Sequence, residues 1–216
     1  MSQTQSVVSD LRDMILSLDL GPGEKLTERW AEASFGASRT PVRAALLLLE
    51  TEGLVVRDGR GWSVAPLDVA EIGQLFVYRE LLEVGAVRLA MTAMEMNELD
   101  DLEALFGASH RAGVQEDRLR MGQEFHARLA GLSGNRFIVD SLSDVMVRLH
   151  RARWLDSGVD DDGWVEHRAI LGAMRRRDEA AAIRLVSAHI ARSRDRILAI
   201  LQQQRRTLRA RGVKVA

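Results

Sequence analysis

From Val7 to Leu20, apolar side chains recur at positions 7, 8, 11, 14, 15 and 18, which places them on one face of a helix. Gly21-Pro22-Gly23 stops that helix. Thr27, followed by Glu28 and Arg29, is the expected N-cap of a second short helix running to about Phe35. Gly36-Ala37 makes a tight turn. Ser38 is then expected to cap a third helix, with Pro41 in its first turn, where a missing N–H is no loss. Gly53 ends it. Within this helix Val42, Ala45, Leu46 and Leu49 fall on one side and would bury against the first two helices. Leu54-Val55-Val56 and Trp62-Ser63-Val64 read as two short strands joined by Arg57-Asp58-Gly59-Arg60-Gly61. Three helices and a hairpin predict a winged helix-turn-helix over residues 1–66.

Pro66 marks a boundary, and beyond it helical spacing dominates. Helices are expected over 68–94, 97–112, 115–131, 135–155, 161–177 and 179–205, with Asp68 and Asn97 as N-caps. Gly113, the Gly131–Gly134 stretch and Ser157-Gly158 are the breaks. Residues 67–216 therefore predict an all-α bundle of six helices with its own core, and the chain as a whole a mainly α protein.

Composition narrows the class without deciding it. The chain has 216 residues, 46% of them apolar and only three of them proline, with Ala, Leu, Arg and Glu abundant, which favours helix. There is no cysteine, so disulfide and thiolate chemistry are excluded, and a cytoplasmic location is expected. The stretch from Met1 to Asp10 is polar and unlike a secretory leader, and no apolar run approaches the roughly 20 residues of a membrane helix. Net charge is -1, so the overall balance does not point to nucleic acid. Residues 1–66 carry seven basic and nine acidic side chains, which confines any DNA-binding face to a local patch. The purely basic stretch from Arg205 to Lys214 reads as a solvated, frayed helix end.

The third helix has that patch. A helix fits the major groove, and side chains at its N-terminal end reach base edges. Arg39 and Arg43 lie four residues apart, on a flank that includes Thr40. Arginine's planar fork can meet guanine O6 and N7 together, or clamp a phosphate. Thr40 and the backbone amides near Ser38 can hold a phosphate at the helix N-terminus. Arg60, between two glycines at the wing tip, can enter a neighbouring groove or rest on the backbone.

The motifs Gly21-Pro22-Gly23-Glu24-Lys25-Leu26, Glu28, Gly36 through Leu46, Glu52-Gly53-Leu54-Val55 and Gly61-Trp62-Ser63-Val64 resemble the N-terminal domain of the GntR family of bacterial transcription regulators. The resemblance implies that Arg29, Arg39 and Arg43 contact DNA and that the wing tip at Gly59 or Arg60 approaches the groove. Trp30-Ala31 departs from the family's usual leucine-alanine, a change of packing. Tyr78 through Glu83, Phe125-His126, Ser133-Gly134-Asn135, Glu166-His167 and Ala188-His189-Ile190 resemble the FCD effector domain of the FadR branch. Six helices rather than seven are similar to its VanR-type subgroup. The implied protein is a homodimer on a pseudo-palindromic DNA operator, a repressor controlled by a small carboxylate effector; the alternative is a DNA-binding regulator whose helical domain only dimerises.

Three of the five histidines, His126, His167 and His189, fall on three different predicted helices. Converging imidazoles can bind a divalent ion such as Zn, Ni or Mn. In the family, matching histidines and an aspartate four residues before the first hold such an ion, whose open positions take a carboxylate. Here that aspartate position is Gly122. Two readings follow: a three-histidine site completed by water or effector, and a metal-free effector pocket lined by the same imidazoles. Arg79 either receives the effector carboxylate in bidentate fashion or pairs with Glu83 one turn on. A catalytic zinc would need a general base beside the histidines, and none is evident, so an enzyme is not expected. His110, His150, Arg148 and Arg151 read as structural or surface residues.

Overall fold

The computed structural model describes residues 2–109, 115–156 and 162–203, together with Val215. The breaks expected at Gly113 and Ser157-Gly158, His110 and the basic stretch from Arg205 to Lys214 lie outside the described residues. The chain divides into two compact units, the first built chiefly from residues 1–69 and the second from 70–149 and 153–199.

In the first unit, α1 (Gln3–Leu16), α2 (Glu28–Phe35) and α3 (Arg39–Thr51) precede the strands β2 (Val55–Asp58) and β3 (Gly61–Val64), and β1 (Lys25–Leu26) lies between α1 and α2. Helix α1 starts and ends four residues earlier than its apolar spacing indicates. A reciprocal capping box between Ser2 and Gln5 starts it, and the chain turns at Ser17 and at Leu18, whose φ is 63°. Thr27 caps α2 as expected, its Oγ1 accepting from the Trp30 amide at 3.1 Å, and Gly36 ends that helix at φ 57°. Ser38 occupies the N-cap position of α3, but its side chain makes no capping hydrogen bond. The usual donors are the second and third helical amides, and the third belongs to Pro41, which has none.

The hairpin is longer than its apolar core. Pairing of Asp58 with Gly61 tightens the connection to Gly59-Arg60, and β1 adds antiparallel to β3, so the wing is a three-stranded sheet of order β1-β3-β2. Val7, Leu11 and Ile15 of α1 join Val42, Ala45, Leu46 and Leu49 of α3, with Leu26, Trp62 and Val64 of the sheet, in the buried core. Arg12 of α1 grips the Glu52 carboxylate at the end of α3 through two hydrogen bonds of 2.9 and 2.6 Å.

The second unit contains α4 (Val69–Ala93), α5 (Glu98–Ser109), α6 (Gln115–Gly131), α7 (Arg136–Trp154), α8 (Asp162–Arg175) and α9 (Glu179–Gln203). Its core includes Ala86 of α4, Ala130 of α6 and Leu142 and Met146 of α7. Ala86 and Ala130 are small enough for α4, α6 and α7 to approach closely, and His126 of α6, His167 of α8 and His189 of α9 are all buried. No helix among the described residues is long and apolar enough to cross a membrane.

Candidate functional site

Two sets of residues carry chemistry, one in each unit. In the first, Arg29, Ser38, Arg39, Thr40, Arg43, Gly59 and Arg60 are all exposed. Ser38, Arg39, Thr40 and Arg43 belong to the start of α3, Arg29 to α2 and Gly59-Arg60 to the turn of the wing. The uncapped first turn of α3 leaves its amides free to meet an anion. Arg39 is not loose: its Nε lies 3.2 Å from Glu32 and 3.4 Å from Glu28, two acids of α2, although its side chain is 71% exposed. Neither acid stood out in the sequence as part of this face. In the wing, the Arg57 guanidinium stacks 3.6 Å from the centre of the Trp62 ring.

In the second unit, His126 of α6, His167 of α8 and His189 of α9 converge, each offering a ring nitrogen within 4.8 Å of the others, and all three are buried. Their hydrogen bonds fix most of the protons. Arginine only donates, so His126 Nε2 accepts from Arg79 Nη2 at 2.7 Å, and His126 Nδ1 donates to Glu83 Oε2 at 2.8 Å. His189 Nδ1 likewise donates to Glu166 Oε2 at 2.6 Å, leaving its Nε2 as an acceptor. That Nε2 is 3.3 Å from His126 Nε2 and 3.3 Å from His167 Nε2. Phe125 stacks on the His167 ring with centroids 3.9 Å apart, Trp164 meets it edge-on, and its Nδ1 is buried without a partner.

Burial keeps these imidazoles neutral. It pushes His126 down to about 3, against the pull of Glu83. His167 is lowered well below the usual histidine range by burial and by its charged and histidine neighbours, and His189 is lowered mainly by burial while Glu166 opposes. Burial works against ionised Glu83, but Arg79 and His126 overcome it and hold the carboxyl below its ordinary range. Arg79 is completely buried, with its Nε donating to Glu83 Oε1 at 2.6 Å. Of the two expectations for Arg79, the pairing with Glu83 is the one seen, and its Nη2 also reaches His126.

The donor set fits a divalent ion. Two nitrogens bound to one tetrahedral ion at about 2.0–2.1 Å stand roughly 3.3–3.4 Å apart, and two of the three nitrogen pairs here are at 3.3 Å. Carboxylates behind two of the imidazoles fix their tautomers in the manner of outer-shell partners. Glu166 adjoins His167 in sequence yet serves His189, an assignment the sequence does not reveal. Arg153 of α7 was also missed: an ideal Cβ built at Gly122 would lie 3.5 Å from its Nη2. Elsewhere, Arg148 pairs with Glu71, Arg151 is buried and donates to the Ala65 carbonyl at 2.5 Å, and His150 is partly buried.

A winged three-helix unit followed by a second unit that is helical among the described residues is the build of a DNA-binding transcription regulator. The sequence matches the family model of bacterial regulatory proteins, gntR family, over residues 3–64 and that of the FCD domain over residues 74–192. The Nta operon transcriptional regulator of Aminobacter aminovorans is 34% identical over 194 residues, spanning 88% of this chain and 91% of its own length. The HTH-type transcriptional regulator YdhC of Bacillus subtilis (strain 168) is 30% identical over 203 residues, spanning 90% and 91%. The structure of Escherichia coli McbR/YncC shares the fold, with a TM-score of 0.76 at 22% identity over 94% of this chain and 99% of that one. The chain belongs to the GntR family and carries an FCD domain.

Proposed function

We propose that the protein is a homodimeric repressor, acting in the cytoplasm, whose grip on a pseudo-palindromic operator is controlled by a small carboxylate bound at the histidine cluster. Each winged unit takes one half-site, with the N-terminal end of α3 in the major groove: Arg43 and Arg39 face base edges or phosphates, and Thr40 and the free amides near Ser38 meet the backbone. Arg29 and the Gly59-Arg60 turn flank that contact. The exposure of Arg43 at the start of α3, together with the uncapped first turn, is the observation that carries this reading. A second copy of the chain is supported by exposed apolar positions on α4, where Leu81 is 69% and Val77 53% exposed one helical turn apart.

His126, His167 and His189 would hold a divalent ion of the Zn, Ni or Mn kind, which supplies open positions for a carboxylate when bound. Arg79 would then release His126 Nε2 and turn its guanidinium to the effector. Effector binding must favour one arrangement of the two DNA-reading heads over another for operator affinity to change. The test uses an operator selected by the protein from random DNA. Arg43→Ala is expected to abolish its retardation in a gel-shift titration while sedimentation still shows a folded dimer; operator affinity equal to the parent would overturn the assignment of α3.

A further inference from the structure

Arg153 is a cation without an adequate counterion. Its guanidinium lies over Gly122, where a Cβ would stand 3.5 Å from Nη2. Gly122 is on α6 one turn before His126, so Arg153 borders the histidine cluster. Its Nη1 is buried and unpartnered, as is Nη1 of Arg79. Burial lowers Arg153 to about 9, and repulsion from Arg79 and Arg196 adds to this more than Glu83 and Asp156 relieve it. Arg79 has its Nε satisfied by Glu83, so its free end is the Nη1 edge. Two buried guanidinium ends thus lack acceptors within one helical unit. Unpaired charged donors of this kind are costly, and an anion with separate oxygen groups for each removes the cost.

We propose that Arg79 and Arg153 together receive a dicarboxylate, one carboxylate at each guanidinium, and that position 122, which faces Arg153 and has no carboxylate of its own, keeps that charge available. The inference rests on the effector reading of the helical unit and adds the ligand's charge class and two residues. A Cβ at position 122 would stand in ordinary contact with the Arg153 guanidinium. An acidic side chain there would neutralise it.

Calorimetry on the full-length protein, with succinate and propionate as probes, tests this before and after chelator treatment. Succinate is expected to bind at least about tenfold more tightly than propionate, the scale of one charge-assisted contact. Arg153→Gln and Gly122→Asp are each expected to bring the two acids to within about threefold, and melting curves identify any variant that fails to fold. A succinate preference that survives both folded substitutions overturns the proposal, as does an equal affinity of the parent for the two acids. In the latter case operator release by either acid leaves the effector reading standing. Absence of binding by both acids overturns the effector reading and this inference with it.

Discussion

The Nε2 atoms of His126 and His189 face each other across 3.3 Å with no proton to share. Glu166 claims the proton of His189 on Nδ1, and Glu83 claims that of His126 on Nδ1. Each Nε2 has one lone pair, that of His126 already accepts from Arg79 Nη2, and a cation that displaced this guanidinium would be served by both nitrogens. Chelator-treated protein is therefore expected to take up about one Zn²⁺ per chain, with the affinity lost in His126→Ala and in His189→Ala. Glu166→Gln is expected to weaken binding by about 10–100-fold. Competition against a chromophoric chelator measures each value, and an unaltered affinity in His189→Ala would remove the site.

Arg79 and Glu83 are 0% and 1% exposed, so neither charge is tolerable alone. Glu83→Leu is expected to cost about 3–5 kcal/mol in urea denaturation by stranding the guanidinium. Arg79→Met combined with Glu83→Leu should recover the part of that loss owed to the stranded charge, while the His126 Nδ1–H is without its acceptor in both variants. A double variant as unstable as the single one would show that the stranded charge is not what the single variant loses.

Acid should weaken the metal-free protein. The three histidines are neutral when folded, with His126 near 3, whereas in the unfolded chain each titrates near 6.5. Between those values the unfolded state binds more protons, so stability is present above pH 6.5 and falls as pH drops below it. The slope is about 1.4 kcal/mol per pH unit for each histidine that stays neutral. Urea midpoints measured from pH 7.5 down to about 5 should show this decline, and His167→Gln should flatten it by about one histidine's share. An unchanged slope in that variant would mean that His167 ionises in the folded state.

Glu28 and Glu32 hold Arg39 back on the surface where it would meet DNA. Glu32→Gln removes both a repulsive charge and a competitor, and is expected to raise DNA affinity by about two- to fivefold at low salt. Fluorescence anisotropy across a salt series reads the effect. If affinity falls instead, the acid positions Arg39 for its contact.

What was readable in the chain follows from the range of each interaction. Helix α3 and the wing announce themselves because Pro41, Gly53 and the glycines at 59 and 61 act locally. The two-residue strand β1 does not, since two residues establish no alternation. The Ser2-to-Gln5 capping pair is a sequence signal in its own right, but the apolar run beginning at Val7 draws attention away from it. Ser38 misleads for a different reason: residue type predicts a cap, and the proline three positions on withdraws its donor. The histidines were placed together through family resemblance, because spacing along separate helices contains no distance. Arg153 is one of several arginines in α7, and only the facing gap at Gly122 distinguishes it.

The pairing of β1 with β3 has a mechanical consequence. Lys25 and Leu26 are fastened to Ser63 and Trp62, and the next residue, Thr27, is the cap from which α2 starts. The wing and the helices are thereby riveted on both sides of that short strand, and the head engages DNA like a die of fixed profile. When a DNA site has the wrong groove width, the strain falls on the double helix. Base steps that no side chain touches should then influence binding through their stiffness.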